Sequence, residues 1–155
     1  MNNRKLKIHV LHGPNLNLLG EREPEIYGHT TLSQLNDQLW EYAHNHDIEL
    51  KISQNNSEGI LIDLLHESRK WADGIVINPG ALTHYSYSLR DAISGIGLPA
   101  VEVHLSDINS REDFRRISVT RDVCIAQVSG YGINSYMKGM ERIIRYLNDK
   151  GMGSD

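Results

Sequence analysis

The feature that most constrains the fold of this 155-residue chain is a regular alternation of short apolar runs with amphipathic segments. The apolar runs predict five β-strands, at residues 7–11, 48–53, 74–78, 99–105 and 123–128. Amphipathic spacing predicts helices that begin at Thr31 and Ser57, helices over 87–94 and 134–147, and a short helical turn over 111–116. Because parallel strands need a crossover between them, this alternation indicates an α/β domain.

Five strands joined by helical crossovers predict one open parallel sheet with helices on both faces. Right-handed crossovers and the chain length favour the flavodoxin-like strand order 2-1-3-4-5. The stripes expected to cover the sheet include Leu35 and Leu39 in the first long helix and Ile60 and Leu61 in the second. In such sheets a ligand binds beyond the carboxyl ends of the strands, at the switch point between strands 1 and 3.

The composition predicts a single domain over residues 1–155, with 151–155 as a frayed tail. A formal net charge of −4 argues against a nucleic-acid partner, and no apolar run reaches the ~18 residues of a membrane span. The N-terminus lacks the apolar segment of a secretory signal. Cys124 is the one cysteine and is expected to be a small buried hydrophobe, which suits a cytoplasmic protein.

Polar side chains gather at the predicted ends of strands 1, 3 and 4. The loop after strand 1, residues 12–30, is much longer than a usual βα connection and has Gly20 and Gly28 as candidate hinges. Amide, imidazole, carboxylate, hydroxyl and guanidinium groups follow strands 3 and 4, on Asn78, His84, Glu102, His104, Ser106, Arg111 and Arg115. We expect this combination to bind an anionic, hydroxyl-rich small molecule.

Taken one at a time, these features also have structural explanations. The long loop could be a surface excursion, His104 a structural histidine, and Arg111 with Arg115 one solvated side of a helix. Glu102 and His104 are two apart on a strand and therefore share a face, where the carboxylate could orient or charge the imidazole.

Missing motifs narrow the chemistry further. The chain has no G-x-G-x-x-G and no P-loop sequence, so we expect no nucleotide cofactor. His9 and His12 have no carboxylate partner nearby in sequence, so we expect no metal site. No lysine lies in the strand-end segments, so a Schiff base has no obvious nucleophile.

Six motifs in this order closely resemble the type II dehydroquinases, over about residues 7–147. They are His12–Gly20, Arg22–Gly28, Asn55–Gly59, Ile77–Ala81, Arg90–Ile93 and Glu102–Ser106. The resemblance implies a metal-free dehydratase without Schiff base or cofactor, which converts 3-dehydroquinate to 3-dehydroshikimate. It also implies a homododecamer built from trimers.

Roles follow from the resemblance by position. Tyr27 is expected to abstract the proton next to the ketone, and Arg22 to activate Tyr27. Asn15 is expected at the enolate oxygen, through a bound water, and His104 as the general acid. The implied substrate-binding residues are Asn78, His84, Leu105, Ser106, Arg111 and Arg115, while Asp91 is implied to reach a neighbouring subunit's site.

The chain departs from the family pattern at Leu82, at Asp107 and at the pair Arg116 and Ile117, none of them an acid–base position. These departures concern substrate affinity and subunit contacts. The same reaction could serve biosynthesis through the shikimate pathway or the catabolism of quinate. A different enzyme on the same fold, such as an isomerase, and a non-catalytic binding module are the rival interpretations.

Overall fold

Five strands form one parallel sheet. They are β1 (Lys7–His12), β2 (Glu49–Gln54), β3 (Gly74–Asn78), β4 (Ala100–His104) and β5 (Ala126–Ser129), in a computed structural model that describes residues 4–151. The strand order is β2-β1-β3-β4-β5, and each neighbouring pair runs parallel. This confirms the predicted order and places the switch point between β1 and β3.

Helices connect the strands. They are α1 (Pro24–Tyr27), α2 (Leu32–Asn45), α3 (Glu58–Ser68), α4 (Tyr87–Gly95) and α5 (Asn134–Asp149). The Thr31 hydroxyl and the Gln34 side chain form a capping box at the start of α2, and the Ser57 hydroxyl accepts from the first turn of α3. Both long-helix starts are therefore confirmed. None of the helices within residues 4–151 is long and apolar enough to cross a bilayer.

Helices cover both faces of the sheet, as predicted. Helices α2 and α5 bury Leu35, Leu39 and Met140 on one face, whereas α3 and α4 bury Leu61 and Leu89 on the other. A Cβ at Gly139 would lie 2.6 Å from Cγ1 of Val103, so glycine at this position lets α5 approach β4 closely. The packing of helices on both faces fixes the positions of the strand ends, where the polar residues lie.

Three details differ from the prediction. The fifth strand begins at Ala126 rather than at residue 123, because Arg121–Val123 forms a 3-10 turn. Ile60 is 46 % exposed, since helical geometry turns it away from the buried side that Leu61 occupies. Cys124 is only partly buried against the second core, and burial raises the pKa of its thiol to about 12. Residues 152–155 of the expected tail lie outside the described residues.

Candidate active site

A pocket opens at the carboxyl edge of the sheet, beyond the ends of β1, β3 and β4. The residues predicted to carry the chemistry line it, namely Asn15, Arg22, Tyr27 and His104. The same pocket is lined by six predicted binding residues, Asn78, His84, Leu105, Ser106, Arg111 and Arg115. Side chains that lie far apart in sequence thus share the position that the fold reserves for a ligand.

The loop between β1 and α2 carries Arg22 and Tyr27 over this pocket. Gly20 and Gly28 each have φ 85°, a left-handed conformation that glycine adopts without strain. Pro24 begins helix α1 and Tyr27 ends it, so a single helical turn sets the direction of the phenol. The loop is therefore a folded part of the site and not an irregular surface excursion.

Asn15 stands at the start of the same loop with φ 71°. Its N–H donates to Oδ1 of Asn56 over 2.9 Å, and the same oxygen accepts from Nε2 of Gln54 over 3.0 Å. Asn56 supports the site but was not predicted, although the motif Asn55–Gly59 contains it. The motif itself was the only indication of Asn56 in the sequence, and the spacing of its residues does not predict a role for this side chain.

Two guanidinium groups surround the phenol of Tyr27. Its hydroxyl accepts a hydrogen bond from Nη1 of Arg111 over 2.8 Å. Cζ of Arg22 and Cζ of Arg111 lie 5.0 Å and 5.1 Å from the ring centroid. Arg22 also pairs with Glu23, with 3.3 Å between nitrogen and oxygen. Both guanidinium groups lie close to the ring, and the direct hydrogen bond to the hydroxyl comes from Arg111 rather than from Arg22.

Arg111 and Arg115 both line the pocket, but the helical turn predicted over 111–116 begins only at Asp113, so the two do not share one side of a helix. The predicted helical turn is two separate 3-10 turns, Ile108–Ser110 and Asp113–Arg116. Oδ1 of Asp107 caps the start of the first turn, and Arg111 follows its end with an extended backbone. Arg111 bonds to Tyr27 and Ser106, whereas Arg115 bonds to Glu112.

His104 is paired with Glu102 on one face of β4, as predicted. Its Nε2 lies 2.9 Å from Oε2 of Glu102, which is fully buried and accepts further hydrogen bonds from Ser118, Thr120 and Gln127. Burial alone raises the pKa of Glu102, but these hydrogen bonds and the charge of His104 outweigh it and hold that pKa below its ordinary value. Nδ1 of His104 has no hydrogen-bond partner within residues 4–151 and is the nitrogen left for a ligand.

His84 and Asn78 bring polar groups from the end of β3. Nδ1 of His84 donates to the carbonyl of Ile117 over 2.6 Å, which leaves Nε2 for the pocket. Burial lowers the pKa of His84, and the hydrogen bond to Ile117 only partly opposes this. Asn78 is buried, and its Oδ1 accepts the N–H of Gly80 over 3.1 Å. Both side chains are thus oriented by the backbone around them.

A buried chain of polar groups continues behind Asn78. The Tyr136 hydroxyl lies 2.8 Å from Nδ1 of His12, and Nε2 of His12 lies 2.9 Å from Oδ1 of Asn36. Because Oδ1 of Asn36 can only accept a hydrogen bond, Nε2 of His12 carries the proton and donates to it. Nδ1 of His12 therefore accepts a hydrogen bond from the hydroxyl of Tyr136. Burial lowers the pKa of His12 to about 4 and raises that of Tyr136, while a hydrogen bond with Asn78 partly opposes the latter change. Both rings are therefore neutral near pH 7.

Two predicted residues do not line the pocket. Glu102 lies behind His104, where a residue that acts through the imidazole belongs. Asp91 is exposed on α4 and is not brought together with the other site residues of its own subunit. Sequence reasoning also missed the apolar wall of the pocket, formed by buried side chains of Leu16, Leu19 and Ile108.

The donor set determines which cofactors the pocket could hold. Residues 4–151 contain no group of three His, Cys, Asp or Glu side chains placed to bind a metal ion. His9, one of the two histidines considered for a metal, instead bonds to Ser68 and Ser53 over 2.7 Å and 2.8 Å. No lysine from the described part of the chain lines the pocket.

A proton acceptor and a proton donor held in one pocket rich in guanidinium groups are suited to acid–base catalysis on a small anion. The fold and the site therefore define an acid–base enzyme of the flavodoxin-like class. Comparison with known proteins agrees with this class and narrows it.

The model of the family described as dehydroquinase class II matches residues 6–144, and the chain belongs to this family. A 3-dehydroquinate dehydratase of Dictyoglomus turgidum is 54 % identical over 143 residues, which cover 92 % of this chain and 99 % of that protein. One of Pelotomaculum thermopropionicum is 55 % identical over 132 residues, 85 % of this chain and 92 % of the relative. A crystal structure of type II dehydroquinase from Butyrivibrio crossotus has a TM-score of 0.89 and 44 % identity, covering 90 % of this chain and 98 % of that one.

Proposed function

We propose that this protein removes water from 3-dehydroquinate to give 3-dehydroshikimate, through an enolate intermediate, in the shikimate pathway. The observation that carries the proposal is the pocket shared by the guanidinium-bound phenol of Tyr27 and the carboxylate-bound imidazole of His104. Relatives more than 50 % identical that bear the name 3-dehydroquinate dehydratase support the same reaction.

Tyr27 is the proposed base. A free phenol ionises only near pH ~10, so a neutral solution holds little phenolate. In the pocket, Nη1 of Arg111 donates to the phenol oxygen, and the guanidinium of Arg22 lies beside the ring. The phenolate then takes the proton from the carbon next to the substrate ketone, and the C–H electron pair forms the enolate.

Asn15 is the proposed partner of the enolate oxygen. Its left-handed backbone and the hydrogen bond from its N–H to Asn56 hold it at the pocket edge before substrate arrives. A polar group fixed in advance stabilises developing negative charge without reorganisation in the transition state. Because no lysine of the described chain lines the pocket, charge on the ketone oxygen has to be met by such groups rather than through an imine.

His104 is the proposed general acid. With Glu102 on Nε2, an imidazolium donates the proton on Nδ1 to the departing hydroxyl, which leaves as water while the enolate re-forms the ketone. The hydrogen bond to the Glu102 carboxylate orients the ring before donation. A proton passing from Tyr27 to His104 restores both groups for the next turnover.

Several donors remain to bind the substrate. The proposed contacts to its carboxylate and hydroxyl groups are Asn78, His84, Ser106, Arg115 and the chain at Leu105, all of which line the pocket. Arg111 contributes to this set through Ser106, which it reaches over 3.3 Å. Closure of the loop between Gly20 and Gly28 would exclude water once the substrate is bound.

Purified protein should turn over 3-dehydroquinate, and the conjugated enone of the product gives an ultraviolet absorbance that measures the rate. No absorbance change with authentic substrate, at any enzyme concentration, would contradict the proposed function. An isomerase on this fold would consume substrate without forming the enone. A binding module would bind it without turnover and would tolerate replacement of Tyr27.

We also propose that the protein assembles as a homododecamer of trimers in the cytoplasm, and that Asp91 completes the site of a neighbouring subunit. The exposed position of Asp91 and the exposed apolar side chains of Tyr87, Phe114 and Ile117 are compatible with subunit contacts. Light scattering after size exclusion measures the assembly. A monomer that is fully active would exclude a role for Asp91 in the site.

A further inference from the structure

Residues 117–120 form a short connecting segment behind the pocket, between the 3-10 turns Asp113–Arg116 and Arg121–Val123, and we call this segment the strap. None of its residues lines the pocket. The strap nevertheless bonds to the elements that carry both pocket histidines. Its first residue, Ile117, accepts the Nδ1 proton of His84 on its carbonyl over 2.6 Å.

The third residue of the strap holds it in place through its backbone. The N–H of Val119 donates to the carbonyl of Thr83 over 2.8 Å, next to His84. The carbonyl of Val119 accepts from Nη1 of Arg90, in α4, over 2.8 Å. The strap is therefore tied through its backbone to the structure that follows β3.

The second and fourth residues of the strap bond to the carboxylate of Glu102. The Ser118 hydroxyl lies 3.1 Å from Oε1 and 3.0 Å from Oε2, and the Thr120 hydroxyl donates to Oε1. Within residues 4–151, the strap supplies every hydrogen bond to Oε1. Oε2 accepts from Gln127 and faces His104. The strap hydroxyls hold Oε1, while Gln127 holds Oε2 on the side of the imidazole, and together they set the rotation of the carboxylate.

We propose that Thr120 and Ser118 are positioning residues for the general acid. By holding the Glu102 carboxylate in one rotation, they fix the imidazole of His104 so that Nδ1 faces the substrate. Catalysis is sensitive to this, because small errors in the position of a reacting group are costly to the rate. The inference rests on the proposed function, and it adds residues outside the pocket to the catalytic apparatus.

The chain offers a matched pair of substitutions to test this. Thr120→Val and Thr83→Val make the same change at two fully buried side chains. The Thr120 hydroxyl bonds to Glu102, whereas the Thr83 hydroxyl has no hydrogen-bond partner in the described chain. An effect of the new methyl group on packing would appear in both variants. A positioning effect would appear at Thr120 alone.

Steady-state kinetics with 3-dehydroquinate should show kcat about tenfold lower in Thr120→Val, equivalent to about 1.4 kcal/mol in the activation free energy. KM should stay close to the wild-type value, because Thr120 does not line the pocket. Thr120→Ser should restore kcat, and Thr83→Val should leave it unchanged. In a Glu102→Gln background, Thr120→Val should cause little further loss, since both changes act through the same carboxylate.

An equal loss of kcat in both valine variants would overturn the proposal, as would full kcat in Thr120→Val. A crystal structure of Thr120→Val gives a measure that does not depend on turnover. We expect the carboxylate to rotate and the 2.9 Å contact between Glu102 and His104 to lengthen. An unchanged contact would refute the positioning role, whatever the activity of the wild-type enzyme. Failure of the wild-type enzyme to dehydrate 3-dehydroquinate would instead contradict the proposed function.

Discussion

Replacement of Tyr27 by phenylalanine removes one oxygen atom, the one that accepts a hydrogen bond from Arg111 over 2.8 Å. The ring and its contacts remain, because Cζ of Arg22 and Cζ of Arg111 lie 5.0 Å and 5.1 Å from the ring centroid and contact the ring itself. A positioned general base contributes about 10²–10⁴ to the rate, which equals about 2.7–5.5 kcal/mol. We therefore expect kcat to fall by about this factor, while KM changes by about threefold or less.

The assay follows enone absorbance over a range of 3-dehydroquinate concentrations, with substrate affinity of the variant measured by calorimetry. Tyr131→Phe is the matched control, because Tyr131 is 56 % exposed and does not line the pocket. A kcat within a few-fold of wild type in Tyr27→Phe would refute the assignment of the base. A large loss of affinity with little change in kcat would instead make the hydroxyl a binding group.

Three further results are expected. His9 and His12 have pKa values lowered by burial from 6.5 to about 4, so the unfolded chain binds more protons between these values. The free energy of unfolding in urea should therefore fall as pH drops from 6.5 to 4, by at most about 3 kcal/mol for each histidine. A free energy of unfolding that does not change over this pH range would contradict the burial of both histidines as neutral rings. Tyr136→Phe should lower the free energy of unfolding by about 1–3 kcal/mol, and it should raise KM because it disturbs the support of Asn78. Ser68→Ala, the control, removes a hydroxyl 2.7 Å from His9 and should lower the free energy of unfolding without changing KM. Borohydride with substrate should leave the enzyme active, and a reduced adduct on a lysine found by mass spectrometry would show imine chemistry.

Much of the fold could be predicted because local physics and the final structure agree. The continuous apolar run of β3 marks a strand buried on both faces, and its predicted bounds match the observed ones. Thr31 with Gln34 and Ser57 mark helix starts, since their side chains satisfy backbone N–H groups that the helix leaves free. The fifth strand was less predictable, because the apolar residues before Ala126 pack against the second core from a turn instead of a strand.

The site was predicted less evenly than the fold. The pairing of Glu102 with His104 follows from their spacing of two on a strand and is confirmed. The helical turn predicted over 111–116 begins only at Asp113, so Arg111 and Arg115 do not share one side of a helix. That Arg111, rather than Arg22, bonds to the phenol could not be read from spacing, since the two arginines approach Tyr27 from different loops.

The amino-acid sequence by itself determined where strands and helices form, because periodicity and capping are local properties. It thereby also determined which residues lie at the strand ends and where the pocket had to be. Tertiary structure alone decided which atoms meet. Ser118 and Thr120 reach Glu102 from positions that sequence reasoning did not single out, and Tyr136 reaches His12 across 124 residues. Such contacts depend on distances set by the packing of the whole sheet and its helices, to which no local pattern responds.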